Sequence, residues 1–172
     1  MNESLSEHIS LSFQRALPLL TSILLLLISY MPMNVFFLGN LKIAVSIACV
    51  YFWLLHRSDL FNLFSVCFLG FFEDILSAAP FGSNMVTLLL CYVLITNLAK
   101  FFNAKPFVVI WYGFGALMFV AAFSRWLLVS IYYGQFLPLP SLIFSVLITV
   151  AVYPLLSMLN AFIQGAFIQE DA

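Results

Sequence analysis

The sequence predicts an all-α integral membrane protein, a polytopic bundle of six transmembrane helices. Three observations predict it. Hydrophobic residues make up 65% of the 172 residues and charged ones only 8%, against about 45–50% and about 25% in a soluble domain. A domain of this size buries only about two-thirds of its surface, so in water this chain would expose large apolar patches. Its twenty Phe also exclude a solvated, disordered chain. Finally, the apolar residues fall into six runs separated by short polar breaks, and a membrane-crossing helix needs about 20 mostly apolar residues.

Residues 1–15 are polar and carry Glu3, Glu7 and Arg15. They are expected to form a short cytoplasmic segment. The first span covers 16–35 and ends where Met31-Pro32-Met33-Asn34 breaks it. That run exceeds a signal-peptide core and no Ala-x-Ala site follows, so it reads as an uncleaved helix. The second span, 38–55, stops at His56-Arg57-Ser58-Asp59. The apolar start of the third is too short to cross, so the span must continue through Glu73 and Asp74, giving 60–79. Pro80-Phe81-Gly82 then turns the chain. The fourth span covers 84–99. The fifth covers 107–133 and contains Arg125. The sixth, 141–168, follows the Gly134–Pro140 connection and leaves 169–172 as a cytoplasmic tail. All six belong to one membrane domain, 16–168.

Orientation follows from the basic residues near the span ends. With the N-terminus inside, Arg15, Arg57, Lys100 and Lys105 face the cytoplasm and Lys42 faces out. Both termini are then cytoplasmic. Trp53 and Trp111 are expected near the inner interface, and Tyr132 and Tyr133 near the outer one.

No basic run points to nucleic acid. Cys49, Cys67 and Cys91 lie in apolar runs with no zinc or redox spacing. There is no zincin, nucleophile-elbow or phosphate-loop motif, and no recurrence of acids on separate helices. Neither an enzyme, a cofactor nor a metal site is expected. Membrane lipid is an expected partner of so apolar a chain.

Glu73 and Asp74 are the most informative residues. A charge near the bilayer centre costs about 2.5–3.5 kcal/mol and normally faces protein or a cavity. The pair therefore either fixes helix packing, lines a small cavity, or sits at the interface on a half-inserted helix. Arg125 lies at a similar expected depth. Pairing of Asp74 or Glu73 with Arg125 is one expectation; the other is that Arg125 snorkels outward beside Trp126. From Gly70 to Asn84 the sequence reads as a helix, a tight turn at Pro80–Gly82, and a second helix. Asn84 is expected to cap that second helix with its side chain. Ser157, Ala161 and Gly165 recur every four residues on the sixth helix, as do Ala44 and Ala48 on the second, a spacing that permits close helix approach. Such a stripe serves either a partner helix or, more simply, the chain's own bundle. Pro154 is expected to weaken the sixth helix locally, with Tyr153 filling the kink.

The stretch Leu69-Gly70-Phe71-Phe72-Glu73-Asp74-Ile75-Leu76-Ser77-Ala78-Ala79-Pro80-Phe81-Gly82-Ser83-Asn84 resembles the hairpin of the bacterial rod shape-determining MreD family. That pattern has a glycine, a few apolar residues, an aspartate, two apolar residues, small residues and Leu-Gly. Glu73 stands at a usually apolar position, and Phe81 replaces the usual leucine. The size, the six-span layout, Arg15-Ala16-Leu17-Pro18 and Val50-Tyr51-Phe52-Trp53 are similar to the family over nearly the whole chain. The resemblance implies a non-enzymatic subunit of the cell-elongation machinery in the bacterial inner membrane. It would bind a single-span MreC-like protein and help link MreB-like filaments to a RodA-type glycosyltransferase and its transpeptidase partner. The layout also resembles the substrate-capturing subunit of energy-coupling factor vitamin transporters, whose fold is similar. In that case Asp74, Arg125 and the outer loops would line a solute pocket. The first helix, however, reads Leu19-Leu20-Thr21-Ser22-Ile23-Leu24-Leu25-Leu26-Leu27, without the alanine-spaced docking motif of those subunits. A small channel or lipid-handling protein would need a polar stripe along one helix, and none is evident.

Overall fold

The computed structural model describes residues 2–31, 43–77, 79–102, 105–136 and 139–167. The described residues form six helices: α1 (Asn2–Tyr30), α2 (Val45–His56), α3 (Leu63–Ser77), α4 (Ser83–Phe102), α5 (Phe107–Tyr133) and α6 (Leu139–Phe167). Three are long and apolar enough to cross a membrane: Ser83–Phe102, Phe107–Tyr133 and Leu142–Ala166. The apolar part of α1, Ala16–Tyr30, and α2 are shorter. The outside of the bundle is as apolar as its inside. Phe64, Tyr112, Ile131, Leu155 and Phe162 all stand exposed, as lipid-facing side chains must.

The helix α2 forms the axis. It packs on each of the other five helices, and every residue from Val45 to Leu54 is buried. With apolar side chains on every face, it can pack on a neighbour in every direction. Around it, α1 packs on α3, α3 on α4, α4 on α5 and α5 on α6. Aromatic rings fill the space between α2, α5 and α6. Tyr153 stacks on Phe114 with centroids 4.1 Å apart, and Tyr51 leans on both rings. The Tyr51 hydroxyl donates to the Ile110 carbonyl at 2.9 Å.

These contacts fix the directions of the helices. The Ala44 N–H donates to Thr149 Oγ1, and further along both helices Cys49 meets Asn160, so α2 and α6 run the same way. Phe107 faces Tyr153 while Trp111 Nε1 donates to the Val150 carbonyl, so α5 and α6 are antiparallel. Tyr51 also meets Phe102 at the end of α4. The turn at Arg57 therefore shares one end of the bundle with Lys100 and Lys105, and the Pro80–Gly82 turn lies at the other.

Several expected boundaries shift. The second helix begins at Val45 rather than 38; residues 32–42, and 168–172 with the expected 169–172 tail, lie outside the described residues. The third helix covers 63–77, not 60–79, because Asn62 caps it: its Oδ1 accepts from the Ser65 N–H and hydroxyl, both at 3.1 Å. The α4 helix runs on to Phe102 and α6 starts at Leu139. Trp53 does not face the outside of the bundle. It is wholly buried in the core, because it belongs to the axial helix. Tyr132 and Tyr133 are exposed at the end of α5. The α6 helix continues through Pro154, with Tyr153 packed into the aromatic cluster.

Candidate functional site

The polar residues singled out in the hairpin converge at one end of the bundle. The α3 helix carries Asp74 about 17 Å along its axis, at roughly 1.5 Å per residue. Pro80 and Gly82 then reverse the chain. Gly82 has φ +91° with open space where a Cβ would stand, so glycine is required there by the backbone and not by crowding. Seven residues of α3 and the turn separate Asp74 from Gly82, and the carboxylate reaches across them to the start of α4.

Asp74 is 1% exposed, and both of its oxygens are engaged. Oδ2 accepts from the Gly82 N–H at 2.9 Å and from the Met85 N–H at 3.4 Å. Oδ1 accepts from the Asn84 N–H at 2.9 Å and lies 3.5 Å from the Ser83 hydroxyl. The Ser83 N–H donates to the Pro80 carbonyl, and the Val86 N–H to that of Gly82. Every amide that a helix start leaves without an intrahelical partner is thus accounted for. The carboxylate also sits at the N-terminus of α4, the positive end of that helix's dipole. This is a helix cap supplied by the neighbouring helix.

Two expectations are corrected here. The Asp74 half of the expected pairing with Arg125 is not seen, because its oxygens are taken by the α4 donors; Arg57 pairs with Asp59 at 3.2 Å. Asn84 does not cap α4 with its side chain. Its Nδ2 donates instead to Ser77 Oγ at 2.9 Å, joining α4 to the end of α3. The reason is common to both: the Asp74 carboxylate is stronger and better placed than the Asn84 amide for the free N–H groups, and those donors leave it no need of a cation.

Glu73 and Arg125 still belong to the same end. The Tyr30 hydroxyl, at the end of α1, hydrogen-bonds Ser77 and lies within electrostatic reach of Glu73, Arg125 and Asp74. Glu73 is buried and Arg125 is half-buried. Four helices, α1, α3, α4 and α5, therefore meet around one small polar group. Tyr30 and Ser77 were not singled out in the sequence. Tyr30 closes an apolar run and Ser77 closes the third, positions where a polar residue is ordinary and carries no signal of its own.

Close packing below the turn depends on Gly70. A Cβ there would lie 2.6 Å from the Met85 Cα, so α3 and α4 touch backbone to backbone. At the opposite end, in the exposed turn, Arg57 hydrogen-bonds both oxygens of Asp59, which holds that carboxyl below the usual range.

The small-residue stripe on α6 divides. Ser157 is buried in the chain's own bundle, but Ala161 and Gly165 are exposed, and nothing lies within 4 Å of a Cβ built on Gly165. The expectation of packing within the bundle fails at those two positions, because the α6 face buried against α2 runs instead through Val146, Thr149, Tyr153, Ser157 and Asn160. On the second helix Ala48 is buried within the bundle.

A second polar group lies in the interior. Asn160 is fully buried; its Nδ2 donates to the Leu156 carbonyl at 2.9 Å and approaches Cys49 Sγ at 4.0 Å. A polar side chain within an apolar helix is the signal that would have found it. Among the described residues no group of three His, Cys, Asp or Glu could hold a metal ion. No protein-family model, no curated protein and no solved structure matches this chain.

Proposed function

We propose that this protein is a non-enzymatic scaffold subunit of the bacterial cell-elongation complex, a six-span protein of the inner membrane with both termini in the cytoplasm. In this reading it binds a single-span MreC-like protein. Through that partner it helps link MreB-like filaments to the RodA-type glycosyltransferase and its transpeptidase, and so to peptidoglycan synthesis and cell shape. The resemblance of the Gly70–Asn84 stretch to the MreD hairpin carries the proposal. The observation that supports it is how Asp74 is used. Its carboxylate holds α4 onto α3 through backbone donors, and both oxygens are taken. That is the work of an architectural residue in a rigid platform.

The energy-coupling factor reading needs the opposite. There Asp74 would have to turn to a solute, giving up the α4 amides at a cost of about 1–3 kcal/mol for each buried donor left unpaired. The distinguishing experiment is a pull-down of the tagged chain from its native membranes in mild detergent, with bound proteins identified by mass spectrometry. We expect an MreC-like single-span protein together with the elongation synthases. Recovery of a coupling subunit with paired ATPases would overturn the scaffold reading.

A further inference from the structure

The α6 helix carries Pro154 in its interior. A proline has no N–H to give the carbonyl four residues earlier, and its ring crowds that oxygen. In α6 the orphaned carbonyl is that of Val150. It finds a donor on the neighbouring helix: the Trp111 indole Nε1–H, from α5, bonds to it at 2.9 Å. In an apolar medium a proline break is tolerated when a neighbouring helix satisfies the freed group in this way. One turn further along α5 stands Gly115, where an added Cβ would lie 3.9 Å from Val150 Cγ1. The two helices therefore approach closely at the break itself.

The two sides of the break are held differently. Before it, Val146, Thr149 and Tyr153 are buried, and Tyr153 stacks on Phe114. Beyond it, among the described residues, the buried side chains are Ser157 and Asn160, both polar. Leu156 packs on the core only in part, and Leu155, Met158 and Phe162 stand exposed. The Ser157 hydroxyl and the Asn160 Nδ2 both donate to carbonyls of α6 itself, so these bonds do not tie the helix to a neighbour. The approach of Asn160 to Cys49 Sγ on α2, at 4.0 Å, is a weak contact. A segment with so few buried apolar side chains opens at low free energy.

We propose that Trp111 is the clasp of a hinge in α6. With the Trp111–Val150 bond made, the arm 155–167 lies on α2. With it broken, the arm swings away about Pro154 as a unit and uncovers Cys49, which is fully buried in the closed form. The closed form keeps the bond and the open form does not, so loss of the donor shifts the balance toward the open form. The hinge is independent of the scaffold assignment.

The test is labelling of the detergent-purified full chain with N-ethylmaleimide, the rate at each cysteine being resolved by peptide mass spectrometry. Cys49 reports the arm, and Cys91, buried on α4, reports the rest of the bundle. Trp111→Phe keeps an aromatic ring and removes the N–H. We expect it to speed Cys49 labelling about fivefold, the size of one net hydrogen bond, with Cys91 unchanged. Pro154→Ala restores a backbone donor for the Val150 carbonyl. It should slow Cys49 labelling on its own and cancel the effect of Trp111→Phe in the double variant. An unchanged Cys49 rate in Trp111→Phe overturns the hinge, and so does a rise shared with Cys91, which is loosening of the whole bundle. An undiminished effect of Trp111→Phe beside Pro154→Ala overturns it too. Should Trp111→Phe fail to fold, Pro154→Ala decides alone: slower labelling of Cys49 supports the hinge, and an unchanged rate overturns it.

Discussion

At the residue scale the chain turns on Asp74. An embedded carboxylate is commonly expected to find a cation, because charges are compared with charges when a sequence is read. Here three backbone amides and a helix dipole serve in place of a cation, and these donors belong to residues whose side chains carry no sign of the role. The consequence is measurable. Asp74→Ala strands the Gly82, Asn84 and Met85 amides together and should lower stability by about 3 kcal/mol, given the size of hydrogen bonds to a charged group. Asp74→Asn keeps one acceptor oxygen in the same shape and should cost about half as much. Arg125→Ala should leave the hairpin in place, since its cap does not use the guanidinium. Thermal unfolding in one detergent, with the helical signal followed by circular dichroism, checks all three. An Asp74→Ala protein as stable as the unaltered chain would mean that water satisfies the α4 start without Asp74.

At the element scale, what was legible in the sequence was what periodicity and breakers encode. The α5 helix occupies 107–133 as read, because Pro106 sets its beginning and Gly134 its end. The Pro80–Gly82 turn was equally plain. The α2 helix is largely apolar on every side from Val45, but the expected span reaches back over Gly39, Asn40 and Lys42, residues that already argue for a later start. The buried place of Trp53 was not legible: only the packing of five neighbours shows that this short helix is the axis. The role of Gly70 was legible as part of a motif but its reason was not, since a backbone contact with Met85 leaves no trace in composition. Gly70→Ala would drive a methyl to 2.6 Å from the Met85 Cα and should cost about 1–3 kcal/mol, as overpacking does. Met85→Ala should not rescue it, because the Cα remains. Gly165→Ala faces open space and should be neutral within about 0.5 kcal/mol. If Gly70→Ala is tolerated as well as Gly165→Ala, the two helices are not in backbone contact.

For the whole molecule the question is how short helices serve a bundle that crosses a bilayer. At roughly 1.5 Å per residue, α2 is about 18 Å long and α3 about 22 Å, against a hydrocarbon core of about 30 Å. Neither reaches across unaided. Yet α2 is enclosed by protein, so its ends need not meet lipid, and the polar ends of the pair find partners: Arg57 with Asp59 at one end, the Asp74 cap at the other. Two arrangements differ in one place. If all six helices cross, the Arg57–Asp59 turn lies on the same side as Lys100, which is where the Tyr51 contacts with Phe102 and Ile110 put it within the bundle. If α2 and α3 dip in and return, that turn stays within or emerges on the side of the Pro80 turn. Alkaline phosphatase fused after Asp59, Ala79 or Lys100 in a bacterial host reads this directly, since the enzyme is active only outside the cytoplasm. We expect activity after Ala79 and none after Asp59 or Lys100. Activity after Asp59 with none after Lys100 would reduce the crossings among the last five helices to α4, α5 and α6, the three with the length to span unaided. Activity after Lys100 would instead reverse the bundle and place both basic ends outside, against the charge bias that orients membrane helices.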